Sequence, residues 1–259
     1  MQPVFSANTG FLFKQLDFPD RLTAAARAGY TAVEFHDEAQ TADLDQIGDL
    51  LSEHELSLGG LNSRMGEGPG CAAEPDAADR CRREIDQALA TAERLNAPAV
   101  HVLAGRGEAT DAAARTAYVA ALHYALQETD RIVLIEPICS AAMPAYYLNT
   151  LAQAEDILSE IDHPRLKIMF DVFHIAMADG PDQVLRCFER ARAGIGHVQI
   201  ASVPDRAEPD RGEVDVVSLI KGMQSAGYSG RFGCEYKPTD AHGGGLDWAR
   251  RLNLLGETA

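Results

Sequence analysis

The chain has 259 residues and 46% hydrophobic content, and its 39 Asp and Glu outnumber 23 Lys and Arg to give a formal net charge of −16. That length is typical of one (β/α)₈ barrel, so residues 1–259 are expected to form a single domain. The acidic balance excludes a basic face for nucleic acid or for an anionic membrane, and neither is expected as a partner.

Strand and helix patterns alternate eight times along the chain, with no linker between them. Strands are predicted over residues 4–8, 31–35, 56–61, 99–103, 132–136, 166–171, 195–200 and 231–235. Helices are predicted over residues 19–28, 44–54, 75–95, 111–129, 150–161, from Pro181 onward, 215–226 and 246–255. Residues 63–74 are rich in glycine without periodicity and are predicted to be a loop.

This alternation predicts an α/β fold, a single (β/α)₈ TIM barrel. Eight is the number of parallel strands that closes such a barrel. A doubly wound open sheet is the competing architecture, but no phosphate-binding fingerprint follows the first predicted strand.

The cysteines and the hydropathy pattern indicate a cytoplasmic protein. The five cysteines are odd in number and show no CxxC spacing, which is typical of reduced thiols. The N-terminus lacks the pattern of a signal peptide, and no apolar run approaches the roughly 18 residues of a membrane span.

Four polar residues occupy the same place in four consecutive strand–helix units. They are Glu136, Asp171, Gln199 and Glu235, which are 35, 28 and 36 residues apart. In a barrel the C-terminal ends of the strands converge, so the three carboxylates and the amide should meet. The three carboxylates would repel one another unless a cation binds between them or one of them is protonated. An all-oxygen ligand set favours Mg²⁺ or Mn²⁺ over Zn²⁺. The alternative is that each acid is only an exposed strand end with a helix-capping role.

The motifs around these residues resemble the hydroxypyruvate isomerase family of xylose-isomerase-like TIM barrels. The matching segments are Ile135-Glu136-Pro137-Ile138, Phe170-Asp171-Val172-Phe173-His174, Gly196-His197-Val198-Gln199-Ile200-Ala201, Arg211-Gly212-Glu213-Val214 and Gly233-Cys234-Glu235-Tyr236-Lys237-Pro238. The resemblance implies a divalent cation held by Glu136, Asp171, Gln199 and Glu235. It also implies that Glu136 and Glu235 act as an acid/base pair interconverting hydroxypyruvate and tartronate semialdehyde through an ene-diolate.

The resemblance has two departures, and both bear on the substrate. Ser202-Val203 stands where the family usually has Asp-Asn, and the loop over residues 63–74 is shorter than the family's. Related ketose epimerases place a histidine where this chain has Gln199, a substrate-binding histidine at His174 and an arginine at Arg206. Metal and mechanism are therefore better indicated than the identity of the substrate.

Further residues are candidates for substrate contact or for support of the ligands. An anionic substrate needs a cation, and Arg206 and Lys237 follow strands seven and eight, although either could be a solvated loop charge. Glu34 ends strand two and could orient a substrate group or pair with a nearby arginine. His197 shares a strand face with Gln199 and is expected one layer deeper, behind the ligands.

Three functions remain open from the sequence. The first is a metal-dependent isomerase acting on a small hydroxy-keto acid or a related sugar. The second is a lyase or polyol dehydratase that uses the same ion, and the third is a non-catalytic sugar-binding barrel. A DNA-repair nuclease would need several zinc ions and more than the eight histidines present. The alanine-rich helix surfaces leave a homo-oligomer possible.

Overall fold

Eight parallel strands close into one barrel in chain order, each hydrogen-bonded to the next and the last to the first. The structure is a computed structural model that describes residues 2–65, 68–239 and 242–255. The strands are β1 Phe5–Asn8, β2 Ala32–Phe35, β3 Ser57–Asn62, β4 Ala99–His101, β5 Ile132–Ile135, β6 Leu166–Asp171, β7 Ile195–Ile200 and β8 Phe232–Cys234. The predicted TIM barrel is confirmed.

Helices lie between the strands and surround the barrel. They are α1 Phe18–Arg27, α2 Leu44–Glu53, α3 Ala78–Arg94, α4 Ala112–Glu128, α5 Leu151–Ile161, α6 Val172–Asp179, α7 Val184–Ala191, α8 Val216–Ser225 and α9 Asp247–Arg251. Several begin at a side-chain cap. Asp43, Asp111, Thr150 and Asp215 each accept a hydrogen bond from a backbone N–H of the first turn, which satisfies a donor that the helix itself leaves unpaired.

Two helices differ from the sequence prediction. An eight-residue helix, α6, follows β6 at once and was not predicted. The last helix, α9, covers 247–251 instead of 246–255. The predicted loop over 63–74 has no helix or strand in its described part, and residues 66 and 67 lie outside the described residues.

The core has two parts. Most buried apolar side chains pack between the helices and the outer face of the barrel. A smaller cluster of Ala99, Leu134 and Met169 is separate from it. Leu134 and Met169 line a small internal cavity together with Glu34 and His197, so polar side chains share the barrel interior with apolar ones.

None of the helices in the described part of the chain is long and apolar enough to cross a membrane.

Candidate active site

The four residues predicted from the strand ends lie together. They are Glu136, Asp171, Gln199 and Glu235, all between 1% and 6% exposed. Glu136 follows β5 directly, and Asp171 is the last residue of β6. Asp171 pairs with Gln199 in the β6–β7 register, and Gln199 pairs with Gly233, two residues before Glu235.

Asp171 is both the end of a strand and the N-cap of α6. Its Oδ1 accepts from the backbone N–H of Phe173 at 2.8 Å, which leaves Oδ2 for the site. The first turn of α6 then returns His174 to the same place, with Nε2 at 3.5 Å from Asp171 Oδ2 and 3.8 Å from Glu136 Oε1. Burial lowers the pKa of His174 to about 3, so its imidazole is neutral. The unpredicted helix is therefore what positions a predicted substrate-binding residue.

Glu235 is the most heavily bonded of the acids. Its Oε1 accepts from Asn8 Nδ2 at 2.9 Å and lies 3.0 Å from His36 Nε2, and its Oε2 pairs with the guanidinium of Arg206. Burial alone would raise the pKa of Glu235, but Arg206 and His36 outweigh it and lower that pKa to about 2. Glu235 is therefore an ionised carboxylate at any physiological pH.

Arg206 joins two of the carboxylates. Its Nη2 donates to Asp171 Oδ2 at 2.9 Å as well as to Glu235. Its guanidinium lies over the rings of Phe11 and Phe173, with the guanidinium carbon 4.6 Å and 4.8 Å from the two ring centres. Two aromatic faces and two carboxylates fix the plane of this cation, so its position is set before any substrate binds.

Of the three carboxylates, Glu136 has the fewest hydrogen-bond donors and cations near it. Its Oε1 is buried without a hydrogen-bond partner among the residues that the structure describes. Burial raises its pKa well above the ordinary value, and the charges of Glu235 and Asp171 add to the effect. Burial likewise raises the pKa of Asp171 to about 7, even though Arg206 opposes it. Both acids therefore favour the protonated form more than a solvated carboxylate does, unless another cation is present.

A polar layer lies behind these four residues inside the barrel. Gln199 Nε2 donates to Glu34 Oε2 at 2.9 Å, and His197 Nε2 lies 3.1 Å from the same oxygen. His197 therefore contacts the residue that holds Gln199, and a supporting role for it stays a prediction. Burial alone would lower the pKa of His197, but Glu34 outweighs it and the pKa is raised.

The donor set fits a hard divalent cation. Glu136 Oε1 and Gln199 Oε1 are buried acceptors with no donor among residues 2–65, 68–239 and 242–255. Ligand atoms of Glu136, Asp171 and His174 lie within 4.8 Å of one another, and this is the one such cluster in the described chain. Unpaired acceptor oxygens beside an excess of carboxylates match the oxygen coordination of Mg²⁺ or Mn²⁺.

The other predicted residues lie at different depths. Glu34, at 5% exposure, lies in the polar layer behind the four strand-end residues and is bonded to Ser6, His197 and Gln199. Lys237 is exposed, and its backbone N–H donates to the carbonyl of Arg206 at 2.7 Å. A substrate contact by either side chain remains a prediction.

Two residues at the site were not predicted. Asn8 is the last residue of β1, and His36 directly follows β2, yet both bond Glu235. The strand-end argument used for strands five to eight applies equally to strands one and two, and it would have found them. His101 is also at the site: it is 1% exposed, and its Nδ1 lies 3.2 Å from Asn62 Oδ1 and 3.7 Å from Glu136 Oε2.

Buried carboxylates of divergent pKa, an amide oxygen and a fixed guanidinium at the C-terminal face of a closed (β/α)₈ barrel define an acid/base enzyme site. Comparison with known proteins identifies the family of barrels to which this chain belongs. The model of the family described as xylose isomerase-like TIM barrel matches residues 22–252, and the chain belongs to that family.

The most informative relatives are isomerases. A 2-oxo-tetronate isomerase of Cupriavidus necator is 35% identical over 96% of this chain and 98% of its own length. A Danio rerio protein provisionally named hydroxypyruvate isomerase is 35% identical over 95% of this chain and 94% of its own. The resemblance to the hydroxypyruvate isomerase family and the prediction of an isomerase-class enzyme are confirmed.

One similar crystal structure has a different description. A Brucella melitensis protein described as AP endonuclease, family 2, superposes with a TM-score of 0.90 at 32% identity, covering 96% of this chain and 98% of its own. The net charge of −16 does not favour binding to DNA phosphates, and the residues that the structure describes contain one acid/histidine cluster.

Proposed function

We propose that the chain is a divalent-metal-dependent isomerase of a small hydroxy-keto acid, hydroxypyruvate or 2-oxo-tetronate. The observation that carries this proposal is the group of buried strand-end residues Glu136, Asp171, Gln199 and Glu235, in which two acceptor oxygens have no hydrogen-bond partner among the described residues and two acids have raised pKa values. The relatives named for these two substrates support it. The four residues would hold Mg²⁺ or Mn²⁺, and a bound cation supplies positive charge that polarises a carbonyl and stabilises developing negative charge.

The two glutamates divide the proton transfers according to their surroundings. Glu235, with its pKa lowered to about 2, is the group able to accept the proton from the carbon beside the carbonyl. Glu136, with its raised pKa, is the group able to return a proton to the neighbouring carbon. In hydroxypyruvate the proton leaves C3 and is returned at C2, while the hydroxyl proton moves from the C3 oxygen to the C2 oxygen. Atoms balance without a co-reactant.

Arg206 is the proposed contact for the substrate carboxylate. Its Nη2 and Nε make the bonds to Asp171 and Glu235, so Nη1 has no hydrogen bond among the described residues. The side chain is 13% exposed, which allows contact with a small ligand. A planar guanidinium held between two rings can present this remaining edge to a carboxylate. His174, 2% exposed, is a second proposed substrate contact.

The test is proton exchange with solvent. The metal-loaded enzyme is incubated in D₂O with hydroxypyruvate and, separately, with 2-oxo-tetronate, and deuterium incorporation is followed by NMR. Glu235→Gln keeps one oxygen ligand but cannot accept a proton, so we expect its exchange rate to be lower by a factor of about 10²–10⁴. Glu208→Gln is the matched control, because Glu208 is another buried carboxylate, and it bonds Thr239 and not the four site residues.

Near-normal exchange by Glu235→Gln would remove Glu235 from proton transfer. Absence of exchange with either acid in the wild type, together with exchange on a neutral ketose, would shift the function towards ketose isomerisation or epimerisation.

A further inference from the structure

The side-chain amide of Gln199 is bonded on one side only. Its Nε2 donates to Glu34 Oε2 at 2.9 Å, whereas its Oε1 is buried and has no partner in the described chain. An amide can be turned so that either its oxygen or its NH₂ group faces a given neighbour. Only one of these orientations offers oxygen to a cation, and the other would direct two N–H groups at it.

Glu34 is placed to select that orientation. Its Oε1 accepts from Ser6 Oγ at 2.5 Å, and its Oε2 is shared by Gln199 and His197. The side chains of Ser6, His197 and Gln199 therefore surround its two oxygens. A carboxylate carries no hydrogen to donate and can only accept hydrogen bonds. Glu34 therefore binds the NH₂ group of Gln199 and rejects its oxygen.

A glycine in β8 makes room for this carboxylate. Gly233 is the register partner of both Ser6 in β1 and Gln199 in β7. A Cβ at Gly233 would overlap Glu34 Oε1 and the carboxyl carbon beside it. Any larger residue would displace the carboxylate from its place between the two strands.

We propose that Glu34 is a positioning residue, which by accepting from Gln199 Nε2 turns Gln199 Oε1 away from itself and towards the cation site beside Asp171. Glu34 acts through Gln199 and does not need to touch the substrate. This role rests on the proposed metal-dependent function and adds to it a residue that decides whether the amide is a ligand.

The experiment measures two quantities, the Mn²⁺ affinity and the protection of the Gln199 NH₂ group from solvent exchange. In Glu34→Gln the new side chain can donate or accept, so it no longer selects one orientation of Gln199. Titration calorimetry should show Mn²⁺ affinity lower by about 10–100-fold, the usual loss when a group behind a metal ligand is changed. The Gln199 NH₂ resonances, assigned by their absence from Gln199→Glu, should lose their protection from solvent exchange in the metal-free protein.

A rescue and a control make the test specific. In the double variant Glu34→Gln/Gln199→Glu, the new amide at position 34 can donate to the new carboxylate at position 199, so the bond is restored in the reverse direction. We expect this variant to recover most of the lost Mn²⁺ affinity. Ser6→Ala removes the contact to Glu34 Oε1 but keeps both bonds to Oε2, and it should bind Mn²⁺ nearly as the wild type does.

The outcomes separate this inference from the proposed function. Unchanged Mn²⁺ affinity and unchanged Gln199 resonances in Glu34→Gln would overturn the positioning role and leave the metal site standing. A wild-type protein that binds neither Mn²⁺ nor Mg²⁺ would overturn both. If Glu34→Gln does not fold, Glu34→Asp keeps the charge but withdraws it by one methylene, and full Mn²⁺ affinity in that variant would equally overturn the role.

Discussion

Replacing Arg206 by Met should destabilise the metal-free protein by an amount that depends on pH. Met keeps an unbranched side chain between Phe11 and Phe173 but removes the charge from Asp171 and Glu235. Arg206→Lys is the matched control, because it keeps the charge. Arg206 has a φ of 54°, and neither replacement is branched at Cβ, so the backbone cost of this left-handed residue is similar in both.

The magnitude follows from Glu235. Arg206 is the largest influence opposing burial, and together with His36 it brings the pKa of Glu235 from an ordinary value of 4.5 to about 2. A difference of that size corresponds to about 3 kcal/mol, similar to the roughly 3–5 kcal/mol lost when one partner of a buried ion pair is removed. For a chain of this size we expect a melting temperature lower by about 6–12 °C near neutral pH.

The pH dependence has a definite sign. A carboxylate whose folded pKa is lowered contributes stability above its unfolded pKa and loses it as pH falls through the folded pKa. The part of the Arg206→Met deficit that comes from Glu235 should therefore be full above about pH 5 and shrink towards about pH 2. The part that comes from Asp171 adds to it as pH rises through about 7, where that carboxyl ionises in the wild type. Thermal melts in EDTA across this range measure it. A deficit that stays constant with pH, or that is equally large in Arg206→Lys, would refute an origin in the carboxylates.

Three further predictions concern the same site. Glu136→Gln should keep or raise the melting temperature of the metal-free protein, because it replaces a buried acid whose Oε1 has no hydrogen-bond partner among the described residues and whose pKa is raised. The same change should weaken Mn²⁺ binding and abolish turnover, and a large loss of stability would contradict the prediction. Mn²⁺ affinity should rise with pH through the Asp171 pKa of about 7, because Mn²⁺ binding must displace the proton on Asp171. Calorimetry in buffers of different ionisation enthalpy would show this proton release, and an affinity independent of pH would contradict the prediction. Gly233→Ala should lower the free energy of unfolding by about 1–3 kcal/mol and weaken Mn²⁺ binding, because the added Cβ overlaps the Glu34 carboxylate. Wild-type stability in denaturant unfolding would contradict this packing argument.

Local pattern was sufficient for the fold and for the convergence of the strand-end residues. Period-two and buried apolar runs mark strands, helical spacing marks helices, and eight alternations leave few architectures besides a barrel. In a parallel barrel the C-terminal end of every strand lies on one face. Glu136, Asp171, Gln199 and Glu235 were thereby brought together by counting strands alone, although they span one hundred residues of sequence.

Tertiary structure decided what each of those residues can do. Glu235 is ionised because Arg206 and His36 reach it from other loops, and Gln199 offers its oxygen because Glu34, 165 residues away, takes its NH₂ group. Asp171 turns Oδ2 towards Arg206 and the site because α6 begins on its other oxygen. Protonation and amide orientation depend on burial and on the nearest charged or polar groups, and those neighbours come from distant parts of the chain. The sequence by itself determined which residues meet; only the closed barrel and its loops determined which of them carry a proton, a charge or a free oxygen.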